Sequence, residues 1–143
     1  TPLYIACRQG HEACVRAMLD AGANKEAAEK SIGATPLYAA CFKGHEACVR
    51  ALLGAGANKE AAQKEGATSL YIACQEGHEG CVRVLLDAGA NTGATRVNGA
   101  TALYIACSRG HGACMRALLH AGTQRAAMQP NFGRVVCKPS AWF

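Results

Sequence analysis

Thr35 to Ala57 reads TPLYAACFKGHEACVRALLGAGA. Thr35 is a good helix N-cap, and Pro36 suits the first helical position, where its missing N–H costs nothing. Leu37, Ala40 and Cys41 follow at helical spacing and predict a short first helix. Gly44 supplies the left-handed residue that ends it. A second helix is expected from about His45 to Ala55, with Cys48, Val49, Leu52 and Leu53 as its apolar stripe. Gly56 ends that helix. Ala57 to Ala67 is polar and bounded by glycine, which suits a hairpin finger. Two helices of two or three turns do not persist alone. The unit therefore needs neighbours.

The chain supplies them. Thr35-Pro36-Leu37-Tyr38 returns as Thr68-Ser69-Leu70-Tyr71 and as Thr101-Ala102-Leu103-Tyr104, and it already stands at Thr1-Pro2-Leu3-Tyr4. A second signature follows in each unit: Gly10-His11-Glu12, Gly44-His45-Glu46, Gly77-His78-Glu79 and Gly110-His111-Gly112. A fixed period of this length means a stacked solenoid. Solenoids bury their core between neighbours and leave a long open surface, which points to binding before catalysis.

The full pattern is Thr-Pro-Leu-Tyr-x-Ala-Cys-x-x-Gly-His-x-x-Cys-Val-Arg-x-Leu-Leu-x-Ala-Gly-Ala, and it resembles the ankyrin repeat. The resemblance covers about residues 1–123 as four repeats, near 1–34, 35–67, 68–100 and 101–123, the first one truncated; 124–143 is a non-repeat tail. It implies an all-α repeat solenoid of stacked helix-turn-helix pairs with β-hairpin finger loops. It also implies protein–protein recognition, with no catalytic constellation and no cofactor. Two departures stand out. The family usually has His where this chain has Tyr4, Tyr38, Tyr71 and Tyr104, so the family's Thr–His hydrogen-bond net is not expected in that form. The asparagine that some members present for hydroxylation is replaced by Glu26, Glu60 and Gly93.

Composition agrees with a helical stack whose small side chains let the helices approach closely. Half of the 143 residues are hydrophobic but only 6% are aromatic, so Ala, Leu, Val, Ile and Cys must build the core. No apolar run reaches the roughly 18 residues a membrane span needs. No secretory leader is visible, and the chain starts without Met inside a repeat, as a piece of a longer protein would. Eight of the nine cysteines hold two repeat slots: Cys7, Cys41, Cys74 and Cys107, then Cys14, Cys48, Cys81 and Cys114. Slots with the apolar period are core slots, where a free thiol acts as a small hydrophobe. The expected compartment is reducing, cytoplasmic or nuclear.

The same residues bear on three chemistries. Cys-x-x-x-His-x-x-Cys occurs in each unit, and structural zinc takes four such ligands. The repeat register accounts for all three columns without metal, so no metal site is expected. Nucleophilic catalysis needs one Cys–His pair oriented by a third group, and four identical copies suit a structural column better. Arg16, Arg50, Arg83 and Arg116 form a column that could meet phosphate. Glu12, Glu46 and Glu79 precede the first three by four residues, a favourable helical pair. Only Arg116 lacks that acid, because Gly112 replaces it.

The charge is uneven. After Asp87 there is no acid, whereas Arg96, Arg109, Arg116, Arg125, Arg134 and Lys138 follow, so the whole net charge of +5 lies in the last third. Binding of nucleic acid or an anionic surface by this end is the alternative reading. In the main reading a monomeric module binds a protein partner at positions that packing does not dictate. By resemblance these are the finger tips and the exposed edge of each first helix: Arg8 and Gln9; Ser31, Ile32, Phe42 and Lys43; Lys64, Glu65, Gln75 and Glu76; Val97, Asn98, Ser108 and Arg109. Phe42 is the expected anchor, since interface hot spots favour aromatics. The repeat pattern fails after Gly122, and Val135/Val136 or Trp142/Phe143 are expected to cover the open end of the stack.

Overall fold

In the computed structural model, residues 1–128 are described, and they form eight helices. The helices are α1 (Pro2–Gln9), α2 (Glu12–Asp20), α3 (Pro36–Lys43), α4 (Glu46–Gly54), α5 (Ser69–Glu76), α6 (Glu79–Asp87), α7 (Ala102–Ser108) and α8 (Gly112–Met128). The odd-numbered helices pack in one row and the even-numbered in another, each helix against its counterpart in the next repeat. This is the expected all-α repeat solenoid.

Local chemistry sets each boundary. The Oγ1 atoms of Thr1, Thr35, Thr68 and Thr101 accept hydrogen bonds of 3.1–3.2 Å from the backbone N–H of the tyrosine three residues on. Gly10, Gly44 and Gly77 end their helices at φ of 78°, 77° and 76°, a region closed to most side chains. The core is aliphatic: Leu37, Leu52, Leu70, Leu85, Val49 and Val82 are each at most 1% exposed. Cys7, Cys41, Cys48, Cys74, Cys81 and Cys114 are buried with them as free thiols. Burial pushes the Cys7 thiol up to about 12 and raises Cys41; the bond to Cys114, then burial, raises Cys74. Thiols held protonated in this way pack as hydrophobes and are poor nucleophiles.

The repeats are clasped by histidine. His45, His78 and His111 stand at helix N-caps yet make no side-chain cap bond there in α4 or α6. Their Nε2 atoms lie 3.0–3.1 Å from the carbonyls of Arg8, Phe42 and Gln75 in the preceding repeat. A carbonyl only accepts, so Nε2 carries the proton. Each ring also covers the helix-ending glycine of that preceding repeat. A Cβ on Gly44 would lie 2.6 Å from His78 Nδ1. These glycines thus serve both a left-handed turn and a close inter-repeat contact.

The fingers stack by backbone and carboxylate bonds. Asn58 N–H donates to Glu26 (2.7 Å) and Asn91 N–H to Glu60 (2.8 Å). Lys64 N–H donates to the Ile32 carbonyl (2.9 Å) and Val97 N–H to that of Glu65 (3.0 Å). Single antiparallel bridges, Ala62 with Thr68 and Thr95 with Thr101, close the second and third fingers. The slots of Glu26 and Glu60 therefore hold the next repeat. The third copy is Gly93, which has no carboxylate to offer. Helix α8 runs past Gly122 to Met128, although the repeat pattern ends at that glycine. Gln124, Arg125, Ala126, Ala127 and Met128 are good helix formers, and a glycine inside a helix costs only about 1 kcal/mol. The covering role expected of Val135/Val136 or Trp142/Phe143 lies outside the described residues.

Candidate functional site

The first two repeats and the finger between them enclose an open groove of about 400 Å3. Tyr4 on α1 and Tyr38 and Ala39 on α3 line it on the helix side; Glu29, Ser31 and Ile32 line it on the finger side. Arg8 and Phe42, near the ends of α1 and α3, complete it. Ile32 and Phe42 keep 42% and 36% of their surface exposed. Lys43 Nζ lies 5.4 Å from the centre of the Phe42 ring, within cation–π range. Burial raises the hydroxyls of Tyr4 and Tyr38 above the ordinary tyrosine value, so both are neutral at physiological pH.

Glu29 faces its own turn. Its carboxylate accepts from Ser31 N–H (2.7 Å), Ser31 Oγ (2.6 Å) and Ile32 N–H (3.2 Å). The Ser31 hydroxyl, then the two backbone N–H groups, hold this carboxyl below its usual range. Lys64 Nζ braces the same finger from the next one, donating to the carbonyls of Lys30 (2.9 Å) and Ser31 (3.0 Å).

The same finger slot behaves otherwise one and two repeats later. Gln63 shares a hydrogen bond with Tyr38. Arg96 stacks over Tyr71 at 5.4 Å and pairs with Glu65. Its hydrogen bond to the Tyr71 hydroxyl raises the guanidinium further, despite the opposing cost of burial. Tyr71 is only 4% exposed. A second depression, of about 320 Å3, lies between α6 and α8 and is lined by Arg83, Asp87, Arg116 and His120 among others.

A family model for ankyrin repeats (3 copies) matches residues 1–63 and 55–128. The chain belongs to the ankyrin-repeat family. No curated protein matches it. Ankyrin repeats are generally protein–protein interaction modules and are typically not enzymes. Among the described residues no helix is long and apolar enough to cross a membrane, and no group of three or more His, Cys, Asp or Glu side chains is placed to hold a metal ion.

Within this ankyrin stack the candidate positions separate into three groups. Arg8, Ser31, Ile32 and Phe42 come together in the groove. Gln9, Lys43 and Glu76 are the last residues of α1, α3 and α5; Gln75, Ser108 and Arg109 hold related places further along the same row. Gln75 and Glu76 are half-buried and the other four are exposed. On the later fingers, Lys64 and Glu65 are engaged with neighbouring fingers, and the Asn98 side chain accepts from Ala100 N–H (3.0 Å). Lys64 and Glu65 thus bond across fingers and Asn98 within its own turn, while all three stay exposed. Val97 is 79% exposed. Sequence reasoning passed over Tyr4, Glu29, Tyr38 and Ala39. The signal was there in part: Glu29, Gln63 and Arg96 are one slot of the repeat with three different side chains.

Proposed function

We propose that this ankyrin-repeat segment is a protein-binding module of a larger intracellular protein, acting as adaptor, scaffold or targeting arm. Its partner is taken on the inner helix edge and fingers, with the groove of the first two repeats as the anchor point. The observation that carries the reading is the pairing of two exposed apolar side chains, Ile32 and Phe42, across a groove in an array whose matching helix positions, Gln75 and Ser108, are polar. Aromatic anchors in pockets supply most of the energy in many interfaces. Free thiols in the core columns support a reducing compartment, cytosol or nucleus. The test is affinity capture from lysate with the wild type, a Phe42→Ala/Lys43→Ala variant and a chain ending at Met128. Retention by the wild type and the shortened chain, with loss in the double variant, is the expected result. Capture that survives the double variant contradicts the reading.

One observation favours a second reading. Arg16, Arg50 and Arg83 each pair with a glutamate at 2.6–2.8 Å, whereas Arg116 has Gly112 at that position. A basic end bound to nucleic acid or an anionic surface would lose affinity steeply with salt.

A further inference from the structure

We infer that the groove takes an acidic peptide segment carrying one apolar anchor side chain; this rests on the protein-binding reading above. The charges around the groove are unequal. Arg8 is exposed at its edge, and among the described residues no carboxylate pairs with it. Lys43 sits over Phe42 rather than beside an acid. Lys64 adds a third cation against the back of the finger. The single carboxylate in the lining, Glu29, is turned onto Ser31 and Ile32. Its carboxylate is held by its own turn, though its charge still reaches the Tyr4 hydroxyl. With Arg8 and Lys43 both exposed beside it, the rim carries an excess of positive charge. A guanidinium with free donors takes a carboxylate in two parallel hydrogen bonds.

The apolar half of the recognition comes from Phe42, Ile32 and the rings of Tyr4 and Tyr38, in a volume of ligand-pocket size. A side chain such as leucine would be desolvated there while flanking carboxylates reach Arg8 and Lys43. The next repeat reverses the sign: the slots of Phe42 and Lys43 become Gln75 and Glu76. An acidic segment is therefore attracted at repeats 1 and 2 and repelled at repeat 3, which fixes its register. Such complementarity governs specificity and on-rate more than raw affinity.

The experiment is fluorescence anisotropy on the whole chain with four labelled probes. They are a short peptide with leucine between aspartate and glutamate, a twin with lysine for the acids, a twin with serine for leucine, and a single-stranded oligodeoxynucleotide. The acidic leucine peptide is expected to bind at least about tenfold more tightly than either twin. Arg8→Glu should reverse the preference between acidic and basic peptides, and Phe42→Ala should remove binding. Both side chains are exposed, so an unchanged circular dichroism spectrum confirms that the variants fold. Equal binding of the lysine twin in a Phe42-dependent way overturns the acidic preference and leaves the groove reading standing. Failure of every peptide overturns both. Tight oligonucleotide binding that ignores Phe42→Ala, with weak peptide binding, assigns the anion preference to the basic end instead.

Discussion

The first groove is open and its counterpart two repeats later is closed, although the same scaffold builds both. At repeat 1 the finger slot is Glu29, which folds back onto its own turn and leaves Tyr4 half-buried beside open space. At repeat 3 the slot is Arg96, which lies over Tyr71, pairs with Glu65 and seals the ring at 4% exposure. A long cation reaches across to the tyrosine; a short carboxylate finds nearer donors in its own turn. One side chain per repeat therefore decides whether this surface is a wall or a recess. Stacking interfaces conserve the frame while single slots set the relief, the division of labour that suits a repeat protein to recognition.

The largest test removes a ring that lines the first groove and bonds Gln63 of the next finger. Tyr38→Ala should destabilise the array by about 3 kcal/mol, since it empties a buried aromatic site, and Tyr38 is 7% exposed. Tyr104→Ala should cost well under half of that, because Tyr104 is 49% exposed. Urea unfolding of the two variants checks the difference; equal losses would mean the rings do not owe their burial to stacking and fingers. Next in size is Gly44→Ala against Gly110→Ala. Both glycines are left-handed, at φ of 77° and 74°, so each substitution carries a conformational cost of roughly 1 kcal/mol. Only Gly44 has a histidine ring against it. Its variant should lose about 1–2 kcal/mol more, by loss of packing and of a hydrogen bond, and the His78 clasp to Phe42 should shift in the NMR spectrum.

Arg96→Ala sharpens the comparison directly. Loss of the ring contact and a partly exposed ion pair should cost about 1 kcal/mol. Tyr71, 4% exposed and so expected to resist iodination in the wild type, should become accessible to it. A Tyr71 that stays protected would show that the neighbouring fingers, and not Arg96, close the second site. The smallest effect concerns Glu29. Its carboxyl is held below the usual range in the folded chain, so its contribution is present above the unfolded value of about 4.3 and fades as pH falls through the lower folded value. Amide protection of Ser31 and Ile32 should weaken over that acidic window, and Glu29→Gln should abolish the pH dependence.

Much of the frame was legible in the residues because its signals are local. A threonine cap, a leucine at fixed spacing and a left-handed glycine recur in register, and each acts within one turn of chain. The sites depend on contacts between repeats. Lys64 and Glu65 read as free finger-tip charges, yet each reaches a neighbouring finger. Glu29 read as one polar residue among many, because the choice between its own turn and Tyr4 is made in space. His45, His78 and His111 read as a possible metal column or a turn signature; their carbonyl partners lie 36–37 residues earlier in the chain. The run of α8 past Gly122 was hidden by the glycine that ends the repeat pattern, although the residues after it are helix formers.

The most direct test of the groove as the partner surface is site-specific photocrosslinking. A photoreactive phenylalanine is placed at position 42, at the matching positions 75 and 108, and at 116 on the basic end. The groove reading predicts a partner band from position 42 that is absent at 75 and 108. A band from 116 with none from 42 would contradict it.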